Sequence, residues 1–249
     1  MKLQIFDSTL RDGAQGANIS FSVDDKLKVI ATLDRLGIDF IEAGNPFSNP
    51  AEMQFFQQAA GMKLEHAKLV AFGSTRRKGI APEEDSNLKS LLAAGTEYVA
   101  IFGKSHIRHV TDVIKATPEE NLAMIAESVR FLAENGKKVV FDAEHFFDGY
   151  KENAGYAMQA LAAAHGAGAW CLCLCDTNGG VFPDEAYEIT KAVAERFPDA
   201  VVSIHCHNDG GLAVAATIEA VKAGARQIQG TFLGFGERCG NTNLSTVIC

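Results

Sequence analysis

Hydrophobic and polar positions fall into two alternating rhythms along this chain. Short apolar runs of strand length are separated by longer segments in which apolar residues recur every three or four positions. The runs are Leu3–Phe6, Phe40–Ala43, Lys68–Phe72, Tyr98–Phe102, Val139–Asp142, Cys171–Cys175, Val202–Cys206 and Gln227–Thr231. The helical patterns between them cover Asp24–Leu36, Pro50–Ala60, Asp85–Ala94, Pro118–Asn135, Asn153–Ala167, Pro183–Arg196 and Gly211–Ala223. Many of the helical patterns stop at a glycine, such as Gly37 or Gly95, where a helix end favours a residue that tolerates positive φ. No linker-like or low-complexity stretch interrupts the alternation, so a single domain over residues 1–249 is expected.

Eight strand candidates alternating with helices predict a mixed α/β chain folded as a (β/α)8 TIM barrel. A doubly wound open sheet usually has fewer strands and a glycine-rich phosphate turn near its start, and neither GxGxxG nor GxxxxGK[ST] occurs here. Asn243–Ile248 begins what would be an eighth helix just before Cys249, so the expected barrel is truncated within that helix.

Composition narrows the function. A net charge of −8 leaves no excess of Lys and Arg to neutralise a run of phosphates or an anionic membrane surface, so neither nucleic acid nor membrane is an expected partner. The apolar runs fall short of the roughly 18 residues that span a bilayer, and no signal peptide is expected. Six cysteines, three of them spaced two apart at Cys171, Cys173 and Cys175, do not form a disulfide framework and read as small core residues. A reducing, cytoplasmic setting is expected.

In a barrel the site is built at the C-terminal ends of the strands, and here those ends are polar. His205 and His207 lie two apart on strand 7, which places both imidazoles on one face. Barrel closure brings strands 7, 8 and 1 together, so Asp12 and Asn241 can reach the same ion. Two imidazoles, a carboxylate and an amide oxygen suit Mg²⁺, Mn²⁺ or Zn²⁺ with positions left for substrate. The alternative is a pair of hydrogen-bonded histidines at a barrel mouth. Arg11 either holds a carboxylate or stabilises a developing oxyanion, or else forms a surface salt bridge. Asp142 and Glu144 share the inward face of strand 5 as a general base or water-orienting pair, or as half of a structural ion pair. Thr177 offers a hydroxyl for a substrate carboxylate or caps the next turn. Cys239 is a loop thiol with no visible base, and His106, His109 and His145 receive no role.

Taken together, FDSTLRDGAQ, IHCHNDGGLAVA and GFGERCGN resemble the signatures of the DRE-TIM metallolyases, in the Claisen-condensing branch of isopropylmalate, homocitrate and citramalate synthases. SFSVDDKL, GNPFSNP, FGSTRRK, IFGKS, DAEHFFDGYK and LCDTNGG are most similar to the citramalate synthases. The resemblance runs from Ile5 to the last residue. It implies a TIM-barrel catalytic domain of the pyruvate carboxyltransferase-like or HMGL-like type, with the C-terminal regulatory domain absent. It implies metal ligation by Asp12, His205, His207 and Asn241, enolate and keto-acid contact by Arg11, carboxylate binding by Thr177, and catalysis by Glu144. The implied reaction joins acetyl-CoA to a 2-keto acid, pyruvate first, giving citramalate and CoA in branched-chain amino acid biosynthesis. It also implies a homodimeric parent protein. The rival readings are isopropylmalate or homocitrate synthesis from 2-oxoisovalerate or 2-oxoglutarate, a lyase or carboxyltransferase on the same scaffold, and a non-catalytic barrel that binds a metal or small acid. The ligand loop lacks the Cys-Pro sequence of the lyases, and no inward lysine is evident for a carboxyltransferase.

Overall fold

The computed structural model describes residues 2–249. Eight parallel strands, β1 (Gln4–Asp7), β2 (Phe40–Gly44), β3 (Lys68–Ser74), β4 (Tyr98–Lys104), β5 (Lys138–Glu144), β6 (Cys171–Asp176), β7 (Val201–Cys206) and β8 (Gln227–Gly230), close into a barrel as β8 pairs with β1. The helices α1 (Val23–Arg35), α2 (Pro50–Ala59), α3 (Ser86–Ala93), α4 (Pro118–Glu134), α5 (Phe146–Gly166), α6 (Pro183–Arg196), α7 (Ala213–Ala223) and α8 (Leu244–Ile248) follow the strands in turn. This is the (β/α)8 barrel that the alternation predicts.

Local chemistry sets the helix starts. Ser22 and Asp25 form a reciprocal capping box before α1, and proline at N1 or N2 fits the first turns of α2, α4 and α6, where a missing N–H costs nothing. At the other end of α1, Gly37 takes φ +79°, a conformation that strains any residue with a Cβ.

Two apolar layers hold the barrel. Ile30, Phe55, Phe56, Leu88, Leu91, Val129 and Leu161 belong to the layer between sheet and helices, all of them buried. A second cluster fills the lumen, including Phe6, Phe40, Val70, Tyr98, Val140, Cys171, Cys173 and Cys175. Phe40, Tyr98 and Trp170, at or just before strand starts, meet at 5.0–5.4 Å and plug the end opposite the site. The cysteines are therefore packing residues, as expected, and burial holds their thiols above the ordinary range.

The structure departs from the expected boundaries in two places that matter. Helix α5 starts at Phe146 rather than Asn153, and Asn153 is a non-helical break at φ −150°, ψ 82° whose Oδ1 accepts from the Tyr156 N–H at 3.0 Å. The asparagine is thus a genuine N-cap, set inside a longer helical run that the aromatic residues Phe146 and Phe147 bury. Strands β3, β4 and β5 each run two residues further than expected, which carries Lys104 and Glu144 to the barrel mouth in register with each other. No helix among the described residues is long and apolar enough to cross a membrane.

Candidate active site

The β1 turn folds back on itself, with the N–H groups of Arg11, Asp12 and Gly13 all donating to the Ser8 carbonyl at 2.8–3.1 Å. That turn drives Asp12 across the mouth to β7. Asp12 Oδ2 lies 3.0 Å from His205 Nε2 and 3.7 Å from His207 Nε2, and all three side chains are almost fully buried. Asn241 arrives by another route, through an antiparallel bridge between its backbone and His207, and its Nδ2 donates to the Phe235 carbonyl at 3.0 Å.

Three buried polar atoms of this cluster have no partner: Asp12 Oδ1, His205 Nδ1 and Asn241 Oδ1. A buried polar atom left unpaired costs about 1–3 kcal/mol. The Asp12 carboxylate and the two converging imidazoles form a donor set that fits a divalent ion such as Mg²⁺, Mn²⁺ or Zn²⁺, and Asn241, bridged to His207 through its backbone but absent from the cavity lining, carries the second unpaired oxygen.

Electrostatics separates the two histidines. Burial alone would suppress the charge on His205, but the hydrogen bond and charge of Asp12 override it and raise its pKa. Burial and the neighbouring His205 push His207 down to about 4. Burial would also raise Asp12, yet Arg11 and His205 hold its carboxyl well below the usual carboxylate range.

Arg11 is no surface salt bridge. Its Nε bonds Glu42 Oε2 at 2.6 Å, its Nη1 lies 3.4 Å from Asp12, and its guanidinium stacks 4.0 Å over the Phe72 ring. Glu42 is fully buried and also accepts from Ser8 Oγ at 2.7 Å. Sequence reasoning missed this carboxylate, although a glutamate inside the otherwise apolar strand FIEAG was the available signal.

Arg11, Asp12, Asp142, Glu144, Thr177, His205 and His207 all line one cavity of about 270 Å³, together with Gln15, Phe72, Phe102, Cys175 and Glu237. Burial, reinforced by the charge on Glu42, pushes the Asp142 carboxyl up to about 7. Glu144 is ion-paired with Lys104, so the structural alternative for it is realised alongside its place in the cavity. Lys104 shares the strand parity of Phe102, which corrects the expectation that the central strands carry no inward lysine. The Thr177 hydroxyl accepts from the His145 N–H at 2.9 Å, a capping contact that leaves its own proton available to the cavity. Arg238, at φ +51°, carries no signal in the sequence that marks it out. It ties the loop after β8 to Asp209 at 2.8 and 3.0 Å, to the Thr177 carbonyl at 2.7 Å and to His207 Nδ1 at 3.2 Å.

Outside the cavity lining His106 stacks on His109 at 4.7 Å and His109 meets His145 edge-on at 4.4 Å, and Cys239 is exposed.

The family model HMGL-like matches residues 2–249. The chain is 54% identical to an (R)-citramalate synthase of Aquifex aeolicus and 50% identical to one of Sulfolobus acidocaldarius, in each case over 99% of its own length and 47% of the relative's. A 2-isopropylmalate synthase of Sulfolobus acidocaldarius is 34% identical over 99% of the chain and 61% of the relative. The chain thus spans about half the length of the citramalate synthases it matches. Among solved structures, an HMG-CoA lyase of Bacillus subtilis superposes with a TM-score of 0.82 at 21% identity, covering 99% of this chain and 84% of that one, a likeness of fold alone.

Proposed function

Because the chain belongs to the HMGL-like family, we propose that it is the barrel of an acyltransferase that condenses acetyl-CoA with a 2-keto acid, pyruvate in the first instance, giving citramalate and CoA. The observation that carries this reading is the convergence of Arg11, Asp12, Glu144, Thr177, His205 and His207 on one small cavity. The greater identity to citramalate synthases than to isopropylmalate synthase favours pyruvate over 2-oxoisovalerate.

Asp12, His205, His207 and Asn241 would hold a divalent ion, which when bound supplies Lewis acidity to a keto acid. The rest falls to side chains of this chain. The Thr177 hydroxyl donates to the substrate carboxylate. Arg11, fixed by Glu42, keeps guanidinium N–H groups pointed at the oxygen where negative charge develops, and no reorganisation is needed as it does so. Glu144 takes a methyl proton from the thioester, the C–H electron pair forms the enolate, and the enolate carbon bonds to the ketone carbon as the ketone π pair moves onto its oxygen, which then takes up a proton from water. Hydrolysis of the resulting thioester releases CoA. Phe72 and Phe102 keep that side of the cavity apolar.

The test is isothermal titration of pyruvate, 2-oxoisovalerate and 2-oxoglutarate with Mn²⁺ present, for the wild-type chain and His207→Ala. Metal-dependent binding of pyruvate, lost in the variant, is expected. Preference for a larger acid would move the assignment to a sister synthase, and binding of none of them would overturn it.

A further inference from the structure

We infer that Lys104 is a positioning residue that holds the Glu144 carboxylate in its working orientation, an inference that rests on the condensation reading given above. Lys104 ends β4 and Glu144 ends β5, and the two stand at one register position of neighbouring strands. The Lys104 ammonium donates to Glu144 Oε2. Both side chains are largely withdrawn from water, 17% and 24% exposed, so the pair is screened less than a surface ion pair. Among the described residues neither has another ion-pair partner within 4.0 Å.

The surroundings of Glu144 show what remains for Lys104 to fix. Ser105 Oγ donates to the Glu144 carbonyl at 2.7 Å, and Thr177 Oγ1 accepts from the next N–H at 2.9 Å. His145 then turns the chain into α5 at φ +54°, a conformation that persists in a non-glycine residue only where its neighbours impose it. Contacts from both flanking strands thus pin the Glu144 backbone. Its side-chain torsions are held by a single contact, the one from Lys104. That contact engages Oε2 and leaves Oε1 free for the cavity that Glu144 lines. A glutamate otherwise loses rotamer freedom each time it adopts the reactive pose, and a base fixed beforehand avoids that cost in the transition state. Lys104 is not among the side chains that line the cavity, and its ammonium reaches it through Glu144.

The experiment compares CoA release and pyruvate binding, with Mn²⁺ present, for wild type, Lys104→Met, Lys104→Arg, Glu144→Gln and the Lys104→Met/Glu144→Gln double variant. Thermal unfolding reports whether each one folds. Lys104→Met should lower kcat roughly 10- to 100-fold while KM for pyruvate stays within about twofold, since ground-state binding does not use Glu144. Lys104→Arg should recover most of the lost rate. In the Glu144→Gln background, Lys104→Met should cost less than about twofold, because its effect passes through the missing carboxylate. A folded Lys104→Met with wild-type kcat, or an equal loss with and without Glu144, would overturn the inference. Should Lys104→Met fail to fold, Lys104→Gln takes its place in the same cycle. A wild-type chain that neither binds pyruvate nor releases CoA would remove the condensation reading instead, an outcome distinct from the other two.

Discussion

His205 and His207 stand two residues apart on one strand, yet their surroundings drive them in opposite directions. Asp12 stabilises a proton on His205, whereas burial and His205 itself strip one from His207. A metal ion competes with that proton, since ligation needs a neutral imidazole. Loading therefore competes with the proton that Asp12 favours on His205, and Mn²⁺ affinity should weaken by about tenfold per pH unit once the pH falls below the raised pKa of His205. Titrations at pH 6, 7 and 8 in buffers of different ionisation enthalpy would show both the slope and the released proton. An affinity flat over that range would mean that His205 is not a ligand. The His-x-His spacing and Asp12 were legible because parity and barrel closure bring them together, whereas Arg11 was marked only by standing next to Asp12, with a surface salt bridge left open. Glu42 was marked only as a lone glutamate in an apolar strand, with its role set by Arg11 in the turn after β1, and Lys104 is recognised only by Glu144, the partner it meets on the neighbouring strand.

At the scale of elements, the start of α5 shows how packing overrides local signals. Asn153 carries the cap signature, and the sequence pattern alone puts the helix start there. The chain nevertheless becomes helical at Phe146, because Phe146 and Phe147 bury completely and draw the preceding turn onto the barrel. Gly149 makes that approach possible. A Cβ there would lie 2.8 Å from the Ser105 carbonyl oxygen and 2.9 Å from His106 Cα, both of them backbone atoms that cannot swing aside. Gly149→Ala should therefore destabilise the chain by about 1–3 kcal/mol, the range for forced overpacking, even though alanine is the better helix former. Denaturant unfolding measures the loss. A neutral or stabilising result would show that the α5 start sits loosely on the segment after β4. The strand ends outrun the apolar pattern for a related reason: Lys104 and Glu144 break that pattern while the ladder runs on through them. The site exploits that continuation.

For the molecule as a whole, two of the buried acids, Asp7 and Asp142, make stability depend on pH in a direction opposite to that of most carboxylates, and opposite to Asp12. Asp7 and Asp142 are both raised to about 7 by burial, from a value of 3.8 when exposed. Between those two pH values the unfolded chain has already lost these protons while the folded chain keeps them, so stability falls as pH rises through that window and levels off above it. His205, raised above 6.5, adds a loss in the same direction, and His207, lowered to about 4, adds one of opposite sign as pH falls. A single substitution isolates one contributor from this sum. Asp142→Asn keeps the shape of the side chain and cannot ionise, so its stability relative to wild type should improve from pH 5 to about pH 7 and level off by pH 8. The gain should be a few kcal/mol at most, since each tenfold change in proton affinity corresponds to about 1.4 kcal/mol. Thermal unfolding of both proteins in EDTA would follow the difference without interference from metal. A difference that stays constant with pH would mean that Asp142 is ionised throughout, its charge balanced by Arg11 in the same cavity. The barrel would then be carrying a permanent anion at its centre, and the cavity would be less suited to a negatively charged acid than the proposed reaction requires.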